Sequence, residues 1–259
     1  VFPGLAEVLA NREWLLRPRP FPHIIAWNVF RPSFYAQLAR EIQSVLDLQL
    51  SEVPDRHRFS RAIPGYDSYG IGFPERQTGA LSLFLTPEWR DMISRLFGIT
   101  PTPYVFAGAH HHTPGSENGF IHSDFNPVWF PVAENDRIIR TPNHEICAYK
   151  TGAGSLADSQ KIQVVRGAAV IFYLVNDGWK SDDGGETGLY DSPRRGVAAP
   201  LVRVPPENNT LVAFECTPQS FHTFLANPRR PRTSVIMWVH RPLEEAVARF
   251  GEERLERWK

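Results

Sequence analysis

The sequence predicts a mainly β protein with flanking helices, in which an antiparallel sandwich or jelly roll lies between helical ends. Three observations predict it. Between about residues 103 and 240, short runs rich in Val, Ile, Phe and Tyr alternate with turn clusters. Helical periodicity falls mostly in the first hundred residues and at the C-terminus. The 23 prolines and 18 glycines, spread through the chain, favour short strands over long helices.

In chain order, Leu5, Val8 and Leu9 suggest a short first helix that ends before Arg17-Pro18-Arg19-Pro20. Pro32 stands where a helix can begin, and Phe34, Leu38, Ile42, Val45 and Leu46 follow at helical spacing. Thr86 reads as an N-cap and Pro87 as the first helical residue. Trp89, Met92, Ile93, Leu96 and Phe97 then form one apolar stripe, closed by Gly98. Strand runs are expected around Ala168–Val175, Thr210–Phe214, Phe221–Leu225 and Thr233–Val239. After Pro242, the residues Leu243, Val247 and Phe250 mark a charged C-terminal helix. At 259 residues the chain reads as one domain. It divides into a support region over 1–102, a β core over 103–240 and a last helix over 241–259.

Composition excludes several classes. The 28 basic and 28 acidic side chains cancel, which argues against a general grip on nucleic acid or acidic lipid. The longest apolar run, Ala168 to Val175, falls far short of the ~20 residues of a membrane helix. The opening Val1-Phe2-Pro3-Gly4 lacks a charged-then-apolar secretory pattern. Two cysteines, Cys147 and Cys216, fit a reducing compartment, and a cytoplasmic location is the expectation.

The chemistry lies in the histidines. His122-Ser123-Asp124 places an imidazole and a carboxylate at i and i+2, on one face of an extended segment. His222 lies in the apolar run Phe221-His222-Thr223-Phe224, where a histidine is either a hydrogen-bonded core residue or a ligand. Two imidazoles and one carboxylate on one face of an ion suit non-heme Fe(II), with other positions open. Ten residues after His222 come Arg232 and then Ser234. The intervening residues read as a turn, so Arg232 is expected to start the neighbouring antiparallel strand and reach the same mouth. A buried guanidinium there needs an anion, best a bidentate carboxylate. His110 and His112 share a strand face and could form a competing site. Asp182, Asp183 and Glu186 suggest either a second metal or a solvated turn.

With His122-x-Asp124, His222 and Arg232 in this order, the sequence resembles the Fe(II)/2-oxoglutarate-dependent dioxygenases. Trp179, Gly184-Gly185-Glu186 and Leu189 are similar to the "W…GGE…L" segment of the prolyl-4-hydroxylase-like branch. The strand Ala169–Asn176, with Tyr173-Leu174 near its end, also matches that branch. The resemblance covers about residues 104–240, with weaker echoes from Phe21-Pro22-His23. It implies a double-stranded β-helix (jelly-roll, cupin-like) core and the cofactors Fe(2+), 2-oxoglutarate and O2.

Residue by residue, the resemblance implies that His122, Asp124 and His222 ligate iron. Arg232 would pair with the distal carboxylate of 2-oxoglutarate, with Ser234 as a second donor. Tyr173 falls where the branch often places a tyrosine on that carboxylate. His112 stands where relatives often have another tyrosine, so its role is open. The implied reaction is hydroxylation of a substrate C–H bond with decarboxylation of 2-oxoglutarate to succinate and CO2. Asp124 favours hydroxylation over halogenation, since halogenating members lack this carboxylate.

The stretch 127–165 looks longer than the branch requires and is expected to be an insert over the barrel mouth. Trp129 would supply an apolar wall, and Arg137 or Arg140 an anion clamp. The expected substrate is a small molecule, an amino acid or a biosynthetic intermediate. A peptidyl or prolyl-type protein hydroxylase is the near alternative. Two other classes are a non-catalytic metal-binding jelly roll and a zinc hydrolase with Glu186 or Glu215 as general base.

Overall fold

Along the central apolar run, side chains divide between two faces. Ala168, Val170, Phe172 and Leu174 belong to one core cluster, whereas Ala169, Ile171 and Tyr173 belong to another. Successive strand residues point to opposite sides, so burial on both demands a layer above and a layer below. A computed structural model, describing residues 4–52, 58–59 and 65–258, shows both layers.

The first half of the chain supplies α1 (Leu5–Val8), β1 (Leu16–Arg17), β2 (His23–Ala26), α2 (Pro32–Glu52), β3 (Arg58–Phe59) and β4 (Ser68–Gly72). A 3-10 segment (Ala80–Leu85), α3 (Pro87–Phe97) and β5 (Val105–His112) follow. Then come β6 (Pro127–Pro131), β7 (Lys161–Tyr173), β8 (Thr187–Tyr190), β9 (Val202–Val204) and β10 (Thr210–Glu215). The chain closes with β11 (Phe221–Phe224), β12 (Arg232–Pro242) and α4 (Leu243–Phe250).

Nine strands form the large sheet, in the order β1-β2-β10-β7-β12-β5-β4-β3, with β6 also paired to β7. Every pairing in it is antiparallel. One face is covered by α2, the 3-10 segment and α3, through Phe34, Leu38, Leu83, Phe84, Trp89 and Ile93. Over the other face lies a small sheet, β11-β8-β9, packed through Leu189 and Val204 on Ile171, Tyr173, Val212 and Phe214. Among the described residues, no helix is long and apolar enough to cross a membrane.

Helix α3 follows the sequence rule closely. The Thr86 hydroxyl accepts a hydrogen bond from the Trp89 amide at 3.3 Å, and Gly98 closes the helix in the left-handed region. Two expectations differ from the structure. Strand β11 pairs with β8, whereas β12 pairs with β5 and β7, so the chain after His222 crosses between sheets rather than forming a hairpin. The 127–165 stretch contains all of β6 and the start of β7, paired to each other over Pro127–Pro131 and Lys161–Val165. Only 132–160 lies outside the strands, with a single 3-10 turn at Asp158–Gln160.

Candidate active site

His122 and His222 face each other across an isolated antiparallel bridge, exchanging both backbone hydrogen bonds at 3.1 and 2.9 Å. This pairing brings side chains to one side of the ladder, and the ring centroids are 4.4 Å apart. Each ring donates its Nδ1–H to a backbone carbonyl, His122 to Phe120 at 2.9 Å and His222 to Ser220 at 3.1 Å. The donation fixes the tautomer and leaves both Nε2 lone pairs free. Those nitrogens approach the Asp124 carboxylate, at 3.9 Å from His122 and 3.4 Å from His222. The ligand atoms of His122, Asp124 and His222 all lie within 4.8 Å of one another.

Burial and the neighbouring His222 ring push the His122 imidazole down to about 4, so it is neutral near pH 7. Burial would raise the Asp124 carboxyl, but the Arg166 guanidinium and the two imidazoles outweigh it. The carboxyl is held well below the usual carboxylate range. Two imidazole nitrogens and one carboxylate, preassembled, are the donor set that a divalent transition metal takes.

Asp124 is held in turn by residues the sequence reading missed. Arg166 Nη1 donates to its Oδ1 at 2.6 Å and Trp238 Nε1 to its Oδ2 at 2.8 Å. Strict alternation would send Arg166 to the helix-covered face with Ala168 and Val170. The β7–β12 register shifts there instead, pairing Val239 with Ala168 but His240 with Arg166 and skipping Gly167. This bulge turns Arg166 toward the site, a common use of bulges beside functional groups. A lone arginine in the run Ile162–Tyr173 was the available signal, since a buried guanidinium requires an anion.

Further along the same sheet face, Arg232 is 3% exposed. Its Nη1 donates to Ser234 Oγ at 3.0 Å and its Nη2 to Thr187 Oγ1 at 3.2 Å. Tyr173 OH bonds the same Thr187 hydroxyl at 2.6 Å, and its ring centre is 5.0 Å from the guanidinium carbon. His112 pairs with Arg232 across the strands and stacks on Phe224 at 3.6 Å. Among the described residues, no carboxylate lies within salt-bridge distance of Arg232, and Arg232 Nε, His110 Nδ1 and His112 Nε2 are buried without a partner. A buried cation with orphaned polar neighbours is built for an anionic ligand. Burial, with Arg232 nearby, pushes His110 down to about 3.

The Gly184-Gly185 pair has a steric cause. Both have positive φ, at 73° and 83°. A Cβ on Gly184 would lie 2.0 Å from the Ala226 carbonyl oxygen, so only glycine allows this approach. Trp179 Nε1 donates to Gly184 O at 2.7 Å and Gly185 N to Ala226 O at 3.0 Å. Asn176 clamps the start of β12, bonding Thr233 N at 2.7 Å and Thr233 O at 2.9 Å. The motif residues therefore fasten the chain on either side of Arg232.

Other candidates lie elsewhere. Trp129 packs against Gly152, with Lys161 Nζ 5.6 Å from its ring centre. Arg140 pairs with Glu75 at 2.8 Å and Glu134 at 3.8 Å, and Arg137 is exposed. None of these three has a contact with the His122 cluster among those of the described residues. Asp182 pairs with Arg229, Asp183 with Arg230 at 3.2 Å and Glu186 with Arg203 at 3.6 Å. No metal-type cluster forms there among the described residues. Both oxygens of Glu215 accept from arginines, Oε1 from Arg241 and Arg249 at 2.6 Å and Oε2 from Arg249 at 3.2 Å. Glu215 is therefore not a free base. His110 and His112 share a face, at 4.6 Å between centroids, but no third ligand joins them. His57 lies outside the described residues.

Comparison with known proteins agrees with this geometry. Residues 144–240 match the model of the 2OG-Fe(II) oxygenase superfamily. A 75-residue stretch is 39% identical to prolyl 3-hydroxylase OGFOD1 of Xenopus laevis, covering 28% of this chain and 14% of that protein's length. A Trichoplax adhaerens prolyl hydroxylase, solved with a hypoxia inducible factor peptide fragment, has a similar fold at TM-score 0.51 and 16% identity, covering 87% of this chain and 86% of its own. The carbocyclase SnoK of nogalamycin biosynthesis is similar at TM-score 0.51 and 12% identity, covering 85% and 79%. The superfamily uses Fe(II), 2-oxoglutarate and O2, and the donor set and the unpaired guanidinium fit the first two. Over residues 144–240 the chain is thus similar to the 2OG-Fe(II) oxygenase superfamily, and its jelly-roll core carries a His-Asp-His cluster.

Proposed function

We propose that His122, Asp124 and His222 hold Fe(II), that Arg232 and Ser234 receive the distal carboxylate of 2-oxoglutarate, and that the chain hydroxylates a prolyl residue in a peptide or protein. One observation carries the reading. A preassembled imidazole–carboxylate cluster and a buried guanidinium that has no carboxylate partner among the described residues occupy the space between the two sheets. With both cofactors bound, the chemistry is oxidative decarboxylation of 2-oxoglutarate to succinate and CO2, with one oxygen atom inserted into the substrate C–H bond.

The protein's part is orientation. Both imidazoles have Nδ1–H committed to backbone carbonyls, which orients each Nε2 toward the cluster. Burial pushes the Tyr173 phenol up and keeps it neutral. It can therefore donate a hydrogen bond beside Arg232 without adding negative charge. Thr187 links the two, and His112 closes the pocket by stacking on Phe224.

For the substrate, we favour a peptidyl proline over the small molecule that the sequence led us to expect. Support comes from the prolyl 3-hydroxylase similar to part of the chain and from the prolyl hydroxylase solved with a peptide. The site's openness agrees. The His122 side chain is a third exposed, and Phe120, at 4.9 Å between centroids, is 59% exposed. An open mouth admits a segment of a longer chain. The test is aerobic incubation with Fe(II) and 2-oxoglutarate, offering proline-containing peptides in one arm and free amino acids in the other. The reading expects succinate release coupled to gain of one oxygen on peptidyl proline. Coupled oxidation of free amino acids alone would overturn the substrate class.

A further inference from the structure

We infer that Arg166 and Trp238 are positioning residues that fix the rotation of the Asp124 carboxylate, with Tyr149 of the 132–160 connection bracing Arg166 from behind. The inference rests on the metal-binding reading above. An ionised carboxylate offers about four lone-pair sites. Arg166 takes one on Oδ1 at 2.6 Å and Trp238 one on Oδ2 at 2.8 Å. Each oxygen keeps one free, and each is the oxygen nearest one of the two imidazole Nε2 atoms. The clamp thus decides which lone pairs face a metal.

The clamp is itself fixed. The Arg166 guanidinium carbon lies 3.8 Å from the ring centre of Trp238 and 5.1 Å from that of Trp258. Its guanidinium therefore lies against the Trp238 ring and near that of Trp258, contacts that a planar guanidinium makes better than an ammonium. Behind it, the proton on every hydrogen bond is determined. His240 Nδ1 faces the Tyr104 carbonyl at 2.8 Å and must donate, so its Nε2 is a bare acceptor. Tyr149 OH donates to that Nε2 at 2.9 Å and accepts from Arg166 Nε at 3.2 Å. The relay runs unbroken from a backbone carbonyl to Asp124, with Tyr149 and His240 buried. Through Tyr149, the long connection reaches the back of the Asp124 clamp.

The experiment uses the full chain and Co(II) as an anaerobic probe of the site. Arg166→Lys keeps the charge and loses the fork. Trp238→Phe keeps an aromatic ring, smaller than the indole, and loses the Nε1–H donor, whereas Tyr149→Phe keeps its ring and loses only the hydroxyl. Outer-shell partners of metal ligands typically matter 10–100-fold. Each of the first two variants is therefore expected to weaken Co(II) binding about 10-fold and the double variant about 100-fold, with shifted ligand-field bands. Tyr149→Phe shifts the bands in the same direction by less. Packing loss alone would not move those bands in a folded protein. If Arg166→Lys fails to fold by circular dichroism, Trp238→Phe and Tyr149→Phe decide. Wild-type affinity and wild-type bands in both would overturn the inference while the metal reading stands. If wild type binds no Co(II), or His222→Ala binds it equally well, the metal reading itself fails.

Discussion

His222 and Arg232 enter one site from different sheets, and strand β8 ties them together. His222 pairs with Leu189 in the small sheet, and Arg232 donates from the large sheet to Thr187, two residues earlier on β8. Paired strand residues share a face, so β8 sets the His-Asp-His cluster and the Arg232 pocket, proposed to hold metal and carboxylate, against each other. The two functions are nonetheless separable. Arg232→Ala should raise the Michaelis constant for 2-oxoglutarate about 100-fold, as expected from losing a charge-assisted pair of ~2–3 kcal/mol. It should leave one metal bound per chain. Parallel metal titration and succinate kinetics check this.

Crossing between the sheets depends on Gly184. A Cβ there meets the Ala226 carbonyl oxygen at 2.0 Å, with φ at 73°. Gly184→Ala should destabilise the fold by at least ~1–3 kcal/mol. It should also loosen the Asn227–Arg232 segment. Thermal denaturation measures the first effect, and amide hydrogen exchange around β12 the second.

Acid should unfold the protein through its buried histidines. Burial pushes His240 and His110 down to about 3 in the fold, against 6.5 for the free side chain. Between these values the unfolded chain binds protons that the native chain refuses, so stability falls as pH falls. The loss should begin below about pH 6.5 and be complete near pH 3. Urea denaturation across this window should show the slope, and His240→Gln should make it shallower.

Helix α4 is fastened by charge. Arg241, fully buried, donates to Glu215 at 2.6 Å, and Arg249 of α4 reaches the same carboxylate. Glu215→Ala leaves buried Arg241 with Glu245 at 3.5 Å as its remaining acidic partner and should cost up to about 3 kcal/mol. Equilibrium denaturation reports the value, and Glu215→Ala with Arg241→Met should recover part of it.

What was readable in the sequence follows from periodicity and local chemistry. Thr86, Pro87 and Gly98 delimit α3 because capping is a local property. His122, Asp124 and His222 could be named because ligand types are few and their order is distinctive. Arg166 could not, because the skipped Gly167 reverses the alternation that would have assigned its face. Trp129 and Arg140 were expected at the mouth, yet Trp129 lies on β6 against Gly152 and Arg140 pairs with Glu75. These partners come from tertiary pairing, which the sequence does not display. The hairpin expected after His222 became a crossing between sheets for the same reason.

Anaerobic titration of the purified chain with Fe(II) and 2-oxoglutarate tests the central claim most directly. A weak visible charge-transfer band should appear only when both are present, saturate at one iron per chain, and vanish in His222→Ala and Asp124→Ala. A band that persists in both variants, or none at all in a folded chain with saturating Fe(II) and 2-oxoglutarate, would contradict it.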